Sequence, residues 1–478
     1  MARAFSGLLL YAAVAALALP LGLYAGPPLL AALEGGGAQR QEVVPAYQLA
    51  PRELSADAAG SALAGVPDPQ APLPDQDTLA GLLDAELSVA GSGAFYGAVL
   101  DVASGDLLYD AYAREPVTPA SNLKILTAAA ALSALGGEAR LETAVYQGSD
   151  PDTVVLRGGG DVLLTAGESD GDAVVGHAGL ASLAQATADA LSERGVRGPV
   201  TVQVDDTLFT GPTLSPAWNE EDIEAGEAAD VHPLAINSAW ATEGYQGGPR
   251  AEDPALAAAE AFAAALSEAL AAGGITVGTD VERGAAPAGT DRLASVESAT
   301  VGEQVQQMLL ASDNYLAESL ARLTALDRGY EASFTGATAA VKEAVAGLGV
   351  STAGVVLGDT SGLGAGTRIS TLQLADTLRQ ALTSGNNDVR ALAYSLPVAG
   401  LSGTLAGRLT GDGGAAAGLV RAKTGSLLAV TSLSGYVTDA DGRLLAFAFV
   451  ANGLEGNTAQ ARAAVDSAAA VLAGCGCG

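Results

Sequence analysis

Three short motifs, far apart along the chain, constrain its fold more than any other feature. They are Ser-Asn-Leu-Lys at residues 121–124, Ser-Asp-Asn at 312–314 and Lys-Thr-Gly at 423–425. Each is weak alone, because Ser and Lys three residues apart on a helix usually form a solvated surface. Their joint occurrence in this order indicates a single site. The fold must therefore bring three distant segments together.

The first motif supplies a serine and a candidate base. A helix is predicted from Ser121 to Leu135, and positions three apart share one side of a helix, so Lys124 can reach the Ser121 hydroxyl. A serine hydroxyl is a weak nucleophile until a base takes its proton. Apolar surroundings and a nearby Lys423 would both lower the pKa of Lys124 and keep part of it neutral. Lys342 is the only other lysine in the chain, so two of three lysines lie in the motifs.

Composition limits the classes of partner. The net charge is −31, so the surface repels phosphate backbones and no nucleic-acid partner is expected. Hydrophobic residues make up 49% of the 478 residues, enough for the cores of two or three domains. The two histidines and two cysteines form no metal-ligand pattern, so neither a metal nor another cofactor is expected.

The N-terminal residues 1–33 are predicted to be a membrane anchor or a signal peptide. Arg3 precedes an uncharged, largely apolar run that ends before Glu34, and about 20 such residues span a bilayer. Ala-Leu-Ala at 16–18 offers a signal-peptidase cleavage site as the alternative. Both interpretations place the rest of the chain outside the cytoplasm.

A flexible linker over residues 34–76 and two β-hairpins are predicted next. The linker is rich in Gly, Ala, Pro and Gln. The alternation of residues indicates one hairpin from Phe95–Val102 and Leu107–Tyr112, and another from Leu428–Val437 and Leu444–Val450. Two hairpins at opposite ends of a chain can share one antiparallel sheet, covered by helices. Further helices are predicted at Val305–Leu326, Ser333–Leu348 and Thr458–Leu472.

Residues 141–298 are predicted to be an inserted β-rich module. Short strands there alternate with loops containing Gly, Asp and Pro, and none of the motifs lies within it. A catalytic domain would then consist of residues 77–140 and 299–474, followed by a tail at 475–478. If the module is separate, a short linker could replace it without loss of the chemistry.

Two features suggest chemistry but are interpreted as structural. Gly-Glu-Ser-Asp-Gly at 167–171 matches a hydrolase nucleophile pattern, yet its acidic residues oppose formation of an alkoxide, so we predict an acidic loop. His232 precedes a proline and is expected to be structural. Cys475 and Cys477 are only one residue apart, so a bridge between them would be strained, and a solvated tail is predicted.

The residues around the motifs resemble the D-alanyl-D-alanine carboxypeptidase/endopeptidase family, the class C low-molecular-mass penicillin-binding proteins. The resemblance extends from about Leu79 to Leu472. It implies an α+β fold, a transpeptidase domain like that of penicillin-binding proteins and serine β-lactamases. An antiparallel sheet would lie between helical layers, with a large insert between the first two motifs. The segments that carry it are 119–124, 158–161, 359–363, 396–400, 402–405 and 421–425.

The resemblance also implies catalytic roles. Ser121 would attack the carbonyl between two D-alanines, and Lys124 would accept its proton. Ser312 would relay a proton to the leaving amine, and Asn314 would orient substrate and lysine. Lys423 would complete the catalytic set and, with Thr424, hold the terminal carboxylate.

The third motif and its neighbours are expected to bind substrate. Thr424, Gly425 and Ser426 lie on the strand that would carry the peptide, and the backbone N–H groups of Ser121 and Ser426 would form the oxyanion hole. Ser426 stands where members often have Thr. Arg368 is a further candidate for binding the peptide stem, although residues 364–367 depart from the family pattern.

The expected function is that of a serine carboxypeptidase or endopeptidase on peptidoglycan stem peptides. It would work through an acyl-enzyme on the extracytoplasmic face of the membrane or in the periplasm or cell wall, and β-lactam antibiotics would be covalent inhibitors. A serine β-lactamase shares the three motifs but needs an efficient deacylating base, and no matching Glu pattern follows Glu318. A non-catalytic cell-wall-binding protein is a second alternative, which intact motifs disfavour.

Overall fold

The computed structural model describes residues 67–244, 246–410 and 416–478. The predicted anchor or signal peptide at 1–33 and most of the predicted linker at 34–76 lie outside these ranges. The helices are α1 (Gln76–Glu86), α2 (Lys124–Leu135), α3 (Leu180–Glu193), α4 (Glu220–Glu224), α5 (Pro254–Leu270), α6 (Val301–Ala311), α7 (Asn314–Asp327), α8 (Phe334–Gly347), α9 (Thr371–Thr383), α10 (Asn387–Ser395) and α11 (Thr458–Gly474). The strands are β1 (Ala94–Asp101), β2 (Leu107–Ala111), β3 (Glu142–Gln147), β4 (Thr153–Arg157), β5 (Thr201–Asp205), β6 (Glu282–Arg283), β7 (Arg292–Glu297), β8 (Arg421–Leu427), β9 (Val430–Thr438) and β10 (Leu444–Asn452).

The main sheet joins the two ends of the described chain. Its order is β2-β1-β10-β9-β8, and all neighbours are antiparallel. Strand β1 pairs with β10 from Ala94 opposite Asn452 to Asp101 opposite Leu445. The shared sheet of two hairpins is thus confirmed. The third motif lies on β8, an additional edge strand that precedes the predicted hairpin. Strand β9 begins at Val430 because Leu428 lies in the β8–β9 turn and is 99% exposed.

Helices cover both faces of this sheet, as the resemblance implied. Alternate residues of a strand point to opposite faces. In β10, Phe447 and Phe449 pack with α1 and α11, whereas Ala446 and Ala448 belong to the core around α2. Helix α2 is buried along most of its length, and its alanines at 128–131 are all fully buried. Their small side chains allow close approach of the surrounding helices.

A second sheet forms within residues 141–298. Its order is β6-β5-β4-β3-β7, and the pairs β4–β5 and β5–β6 are parallel. Parallel neighbours need crossover connections, which α3 and α5 supply. These helices and the sheet share a core of their own, with Val145, Val202, Leu183 and Phe262 among its buried members. The segment thus combines the strands expected of a β-rich insert with two long helices.

Part of the same segment belongs to the core of the main sheet instead. Phe209, Trp218, Ala228 and Ala235 are buried with the helices around α2. The segment thus has two parts, a small α/β layer and a set of loops that pack on the rest of the protein.

The predicted helix at Val305–Leu326 is wrong as a single element, because it is broken at the second motif. Ser312 adopts a left-handed conformation with φ 60°, which ends α6. Asp313 then caps α7 by accepting a hydrogen bond from the backbone N–H of Leu316 at 3.1 Å. The break places the Ser312 side chain in a turn between two helices.

The C-terminal tail is not solvated as predicted. Cys475 is buried and disulfide-bonded to Cys477. Its carbonyl accepts a hydrogen bond from Ala440, and that of Cys477 accepts one from Asp75. The tail packs because it continues α11 directly onto the β9–β10 turn.

The last residues assigned to the linker also have defined contacts. The backbone N–H of Asp68 donates to Gly442, and Arg443 donates to the carbonyls of Pro69 and Ala71. Arg443 is itself paired with buried Asp101. Residues 67–75 therefore lie against the β9–β10 turn.

One helix among the described residues is long and apolar enough to cross a membrane by length and composition alone, over Pro254–Gly273. It contains α5, whose Ala258, Phe262 and Leu266 are fully buried in the core of the second sheet. A core helix of a folded domain meets the same criterion.

Candidate active site

The structure brings the first two motifs together around the Lys124 amine. Lys124 Nζ lies 3.1 Å from Ser121 Oγ, 2.6 Å from Asn314 Oδ1 and 2.8 Å from the carbonyl oxygen of Ser361. Lys124 is fully buried at the start of α2, and half-buried Ser121 lies on the 3₁₀ turn that precedes it. The turn and the helix together place the amine beside the hydroxyl.

The buried amine titrates close to neutral pH. Burial lowers the pKa of Lys124 to about 8, against the opposing charges of Asp359, Asp313, Glu318 and Glu227. The lowering that sequence predicted is therefore present, and burial is its cause. A lysine with a pKa of about 8 is neutral in roughly a tenth of molecules at pH 7.

The second and third motifs meet at Ser312. Lys423 Nζ donates to Ser312 Oγ at 2.9 Å and to the carbonyl oxygen of Thr424 at 2.7 Å. Lys423 is fully buried on β8. Burial and then the positive charge of Lys124 hold the pKa of Lys423 well below its usual value.

The third motif also fixes the edge of the site. Thr424 Oγ1 donates to Thr404 Oγ1 at 2.8 Å. Gly425 is required because a Cβ there would lie 3.0 Å from the carbonyl of Pro119 and closer still to Ser432. Ser426 is exposed at the end of β8. This edge strand therefore runs beside the turn that carries Ser121.

Two residues near the site have roles that the sequence did not assign. The carboxamide of Asn122, oriented so that donors meet acceptors, donates to the carbonyl of Lys423 at 2.8 Å and accepts from Ser434. It thereby ties the first motif to the strand of the third. Thr404 belongs to the segment 402–405 that carried part of the resemblance, and this was the available signal for it.

The backbone before Ser121 is strained. Ala120 has φ 51°, which is unusual for a residue with a Cβ. Gly362 packs against its carbonyl so closely that a Cβ at Gly362 would overlap Ala120. This packing sustains the conformation that presents Ser121.

Arg368 lies apart from this cluster. Its guanidinium donates to Thr118 Oγ1 at 2.7 Å and to the carbonyl of Thr367 at 2.8 Å. The structure places it beside the segment that leads to Ser121, without a described contact to the motif side chains.

Among the described residues, no His, Lys or carboxylate side chain is hydrogen-bonded to the alternative serine, Ser169. Ser169 Oγ accepts from the backbone N–H of Gly179 at 2.8 Å. His177 lies against Arg140 and the carbonyl of Ala173. His232 lies 3.0 Å from Asp206. Among the described residues, no group of three or more His, Cys, Asp or Glu is arranged to hold a metal ion.

Residues of the segment 141–298 contact the site, which the sequence did not indicate. Trp218 Nε1 donates to Asp359 at 3.0 Å, and the Asn314 amide donates to the carbonyl oxygen of Glu227 at 2.9 Å. The Ser238 hydroxyl donates to Asp313. The loops of the insert therefore support the second motif directly.

The sheet between helical layers and the three converging motifs define a penicillin-binding, serine-peptidase type of protein. A solved structure with this fold is penicillin binding protein 4 from Haemophilus influenzae, which is 21% identical to this chain. The comparison covers 84% of this chain and 98% of that one, with a TM-score of 0.65.

The family follows from sequence comparison. The model of the D-Ala-D-Ala carboxypeptidase 3 (S13) family matches residues 79–247 and 241–473. Carboxypeptidase DacB of Mycolicibacterium smegmatis is 39% identical over 419 residues, 86% of this chain and 87% of that protein. The D-alanyl-D-alanine carboxypeptidase of Actinomadura sp. (strain R39) is 32% identical, covering 88% of each chain. The chain belongs to the D-Ala-D-Ala carboxypeptidase 3 (S13) family of serine peptidases.

Proposed function

We propose that Ser121 is the nucleophile of this D-Ala-D-Ala carboxypeptidase and that neutral Lys124 is its base. The observation that carries the assignment is the buried Lys124 amine 3.1 Å from Ser121 Oγ. Ser121 Oγ forms a bond to the carbonyl carbon of the penultimate D-alanine as its proton passes to Lys124. Asn314 Oδ1, 2.6 Å from the amine, holds it in place.

The second and third motifs complete the cycle. As the C–N bond breaks, Ser312 passes a proton to the leaving D-alanine amine and is resupplied by Lys423, whose amine donates to Ser312 Oγ. Water then attacks the acyl carbon and gives a proton to Ser312 and Lys423, while Lys124 returns its proton to Ser121 Oγ as the ester bond breaks. The shortened stem peptide is released and Ser121 is restored. The backbone N–H groups of Ser121 and Ser426 stabilise the oxyanion.

The substrate binds along the edge strand β8. Lys423 and Thr424 receive the terminal carboxylate, and the anion raises the pKa of Lys423 and keeps it charged. Gly425 leaves room for the turn beneath the peptide. Arg368 contributes to binding of the stem peptide at the far side of Thr118.

Penicillin labelling tests this assignment. The antibiotic resembles the D-alanyl-D-alanine end, so it should acylate Ser121 and leave a slowly hydrolysed adduct. After labelling with a fluorescent penicillin, mass spectrometry of peptides should place the adduct on Ser121. An adduct on Ser169, or no adduct, would contradict the assignment. Continuous nitrocefin turnover in place of a burst would favour a β-lactamase.

The enzyme acts outside the cytoplasm, on peptidoglycan, and we propose that residues 1–33 anchor it to the outer face of the cell membrane. Residues 34–66 then act as a tether to the folded part. The full chain should remain with membranes in high salt, whereas a chain beginning at residue 67 should be soluble and acylate equally fast. A mature N-terminus near residue 19 or 26, found by sequencing, would replace the anchor by a signal peptide.

A further inference from the structure

A buried carboxylate lies one turn beyond Asn314 on α7 and has no part in the proposed steps. Glu318 is fully buried. Its Oε1 accepts from the backbone N–H of Thr360 at 2.9 Å, and its Oε2 accepts from Thr360 Oγ1 at 2.7 Å. A buried carboxylate is costly unless its surroundings use it.

The bonds of Glu318 lead to the Lys124 amine. The carbonyl of Thr360 accepts from Thr127 Oγ1 at 2.6 Å, one turn along α2 from Lys124. The next carbonyl, that of Ser361, accepts from Lys124 Nζ at 2.8 Å. Glu318 therefore holds the backbone segment whose Ser361 carbonyl accepts a hydrogen bond from Lys124.

Helix α7 thus contacts Lys124 in two ways. Residues four apart lie on one side of a helix, so Asn314 and Glu318 point in the same direction. Asn314 binds the amine itself, and Glu318 binds the segment beneath it.

We propose that Glu318 is a positioning residue for Lys124, which fixes the Ser361 carbonyl and, together with Asp359 and Asp313, contributes negative charge that stabilises the lysine once it has taken the Ser121 proton. The inference rests on the proposed function of Ser121 and Lys124.

The charges around the pair are consistent with this role. The negative charges that act on Lys124 are those of Asp359, Asp313, Glu318 and Glu227. Lys423, beside Ser312, is the neighbouring positive group. Arg322 follows Glu318 on α7 and interacts with its charge. Burial, and then the charge of Asp359, raise the pKa of Glu318 to about 7, against the hydrogen bonds from Thr360. The negative charge is therefore present above about pH 7 and is lost as the pH falls through that value.

The pH dependence of penicillin acylation tests the role. Acylation needs neutral Lys124, so its rate should rise with pH through the pKa of about 8. Glu318→Gln removes a charge that raises the pKa of Lys124. The acid limb of the pH–rate profile should therefore move to lower pH by about one unit. The maximal rate should fall about tenfold, because a weaker base takes the proton less well.

Three variants separate charge from position. Glu318→Asp retains the charge, so the acid limb of its pH–rate profile should stay at the wild-type pH while the acylation rate falls. Thr360→Val removes one hydrogen bond to Glu318 and should have the same effect. Glu343→Gln removes an exposed carboxylate on α8 and should change nothing.

The outcomes are distinct. A folded Glu318→Gln chain whose rate falls equally at every pH, or does not fall, would overturn the inference. If that chain does not fold, Glu318→Asp decides, since a displaced limb in the charge-conserving variant would be equally contradictory. Failure of the proposed function looks different, because the wild-type chain itself would then carry no adduct on Ser121.

Discussion

Replacing Lys124 by Ala is expected to lower the rate of penicillin acylation of Ser121 by about 10³-fold, within the range that general-base catalysis supplies. The Lys124 amine lies within hydrogen-bond distance of the hydroxyl, and its lowered pKa leaves a neutral fraction to accept the proton. The acylation rate should be measured from quenched time courses of labelling with a fluorescent penicillin at several pH values. Circular dichroism should show a fold close to that of the wild-type chain, since α2 accommodates Ala.

The control is the one lysine outside the motifs. Lys342 is half-buried on α8 and donates to the carbonyl of Val355 at 2.9 Å. Lys342→Ala loses this bond but should acylate at the wild-type rate. Lys124→Met fills more of the buried space and should be as inactive as Lys124→Ala, which separates loss of the base from loss of volume. Equal rates for the Lys124 and Lys342 variants would disprove the role of the base.

The sequence predicted those parts of the fold that depend on local pattern. Alternation of apolar residues located the strands of both hairpins, and the apolar run after Ser121 located α2. The shared sheet followed from the positions of the hairpins. The three motifs predicted a common site, and the structure brings Ser121, Lys124 and Asn314 within hydrogen-bond distance.

Other features depend on contacts that local pattern does not contain. The left-handed conformation of Ser312 has no signal in its residue type, because positive φ is usual for Gly and rare for Ser. Helical periodicity continues on both sides of it, so a single helix was predicted. The buried end of the tail is likewise a tertiary effect, in which Cys475 packs on the core beneath α1 and α11.

The residues missed near the site lie in loops. Trp218 lies just before the very short helix α4 and Glu227 lies just after it, in a region without sustained periodicity. Their contacts join positions far apart in sequence, such as Trp218 with Asp359. A spacing argument restricted to the three motifs could not find them, because Glu227 contacts Asn314, and Trp218 contacts Asp359, from another part of the chain.

Replacement of residues 141–298 by a short Gly/Ser linker is expected to lower the rate of penicillin acylation by at least about 100-fold. The sequence suggested that this segment was dispensable, since all motif residues lie outside it. The structure shows that its loops hold Asp359 through Trp218, and Asn314 through the carbonyl of Glu227. Asp359 in turn accepts hydrogen bonds from Ser361 and from the backbone N–H groups of residues 362 and 364. Without the insert, the turn whose Ser361 carbonyl accepts a hydrogen bond from Lys124 loses a support.

A single substitution tests the same argument without the risk of unfolding. Trp218→Phe preserves an aromatic ring against Phe334, whose centroid lies 5.2 Å away, but removes the donor to Asp359. A hydrogen bond to a buried charge contributes about 1.5–3 kcal/mol, so acylation should fall roughly tenfold or more if the bond positions the turn. Leu293→Ala, half-buried on β7 against the core of the second sheet, is the control and should lower stability while leaving the acylation rate of the folded chain unchanged. A deletion chain that is folded by circular dichroism and acylates at the wild-type rate would show that the insert is separable from the catalytic site.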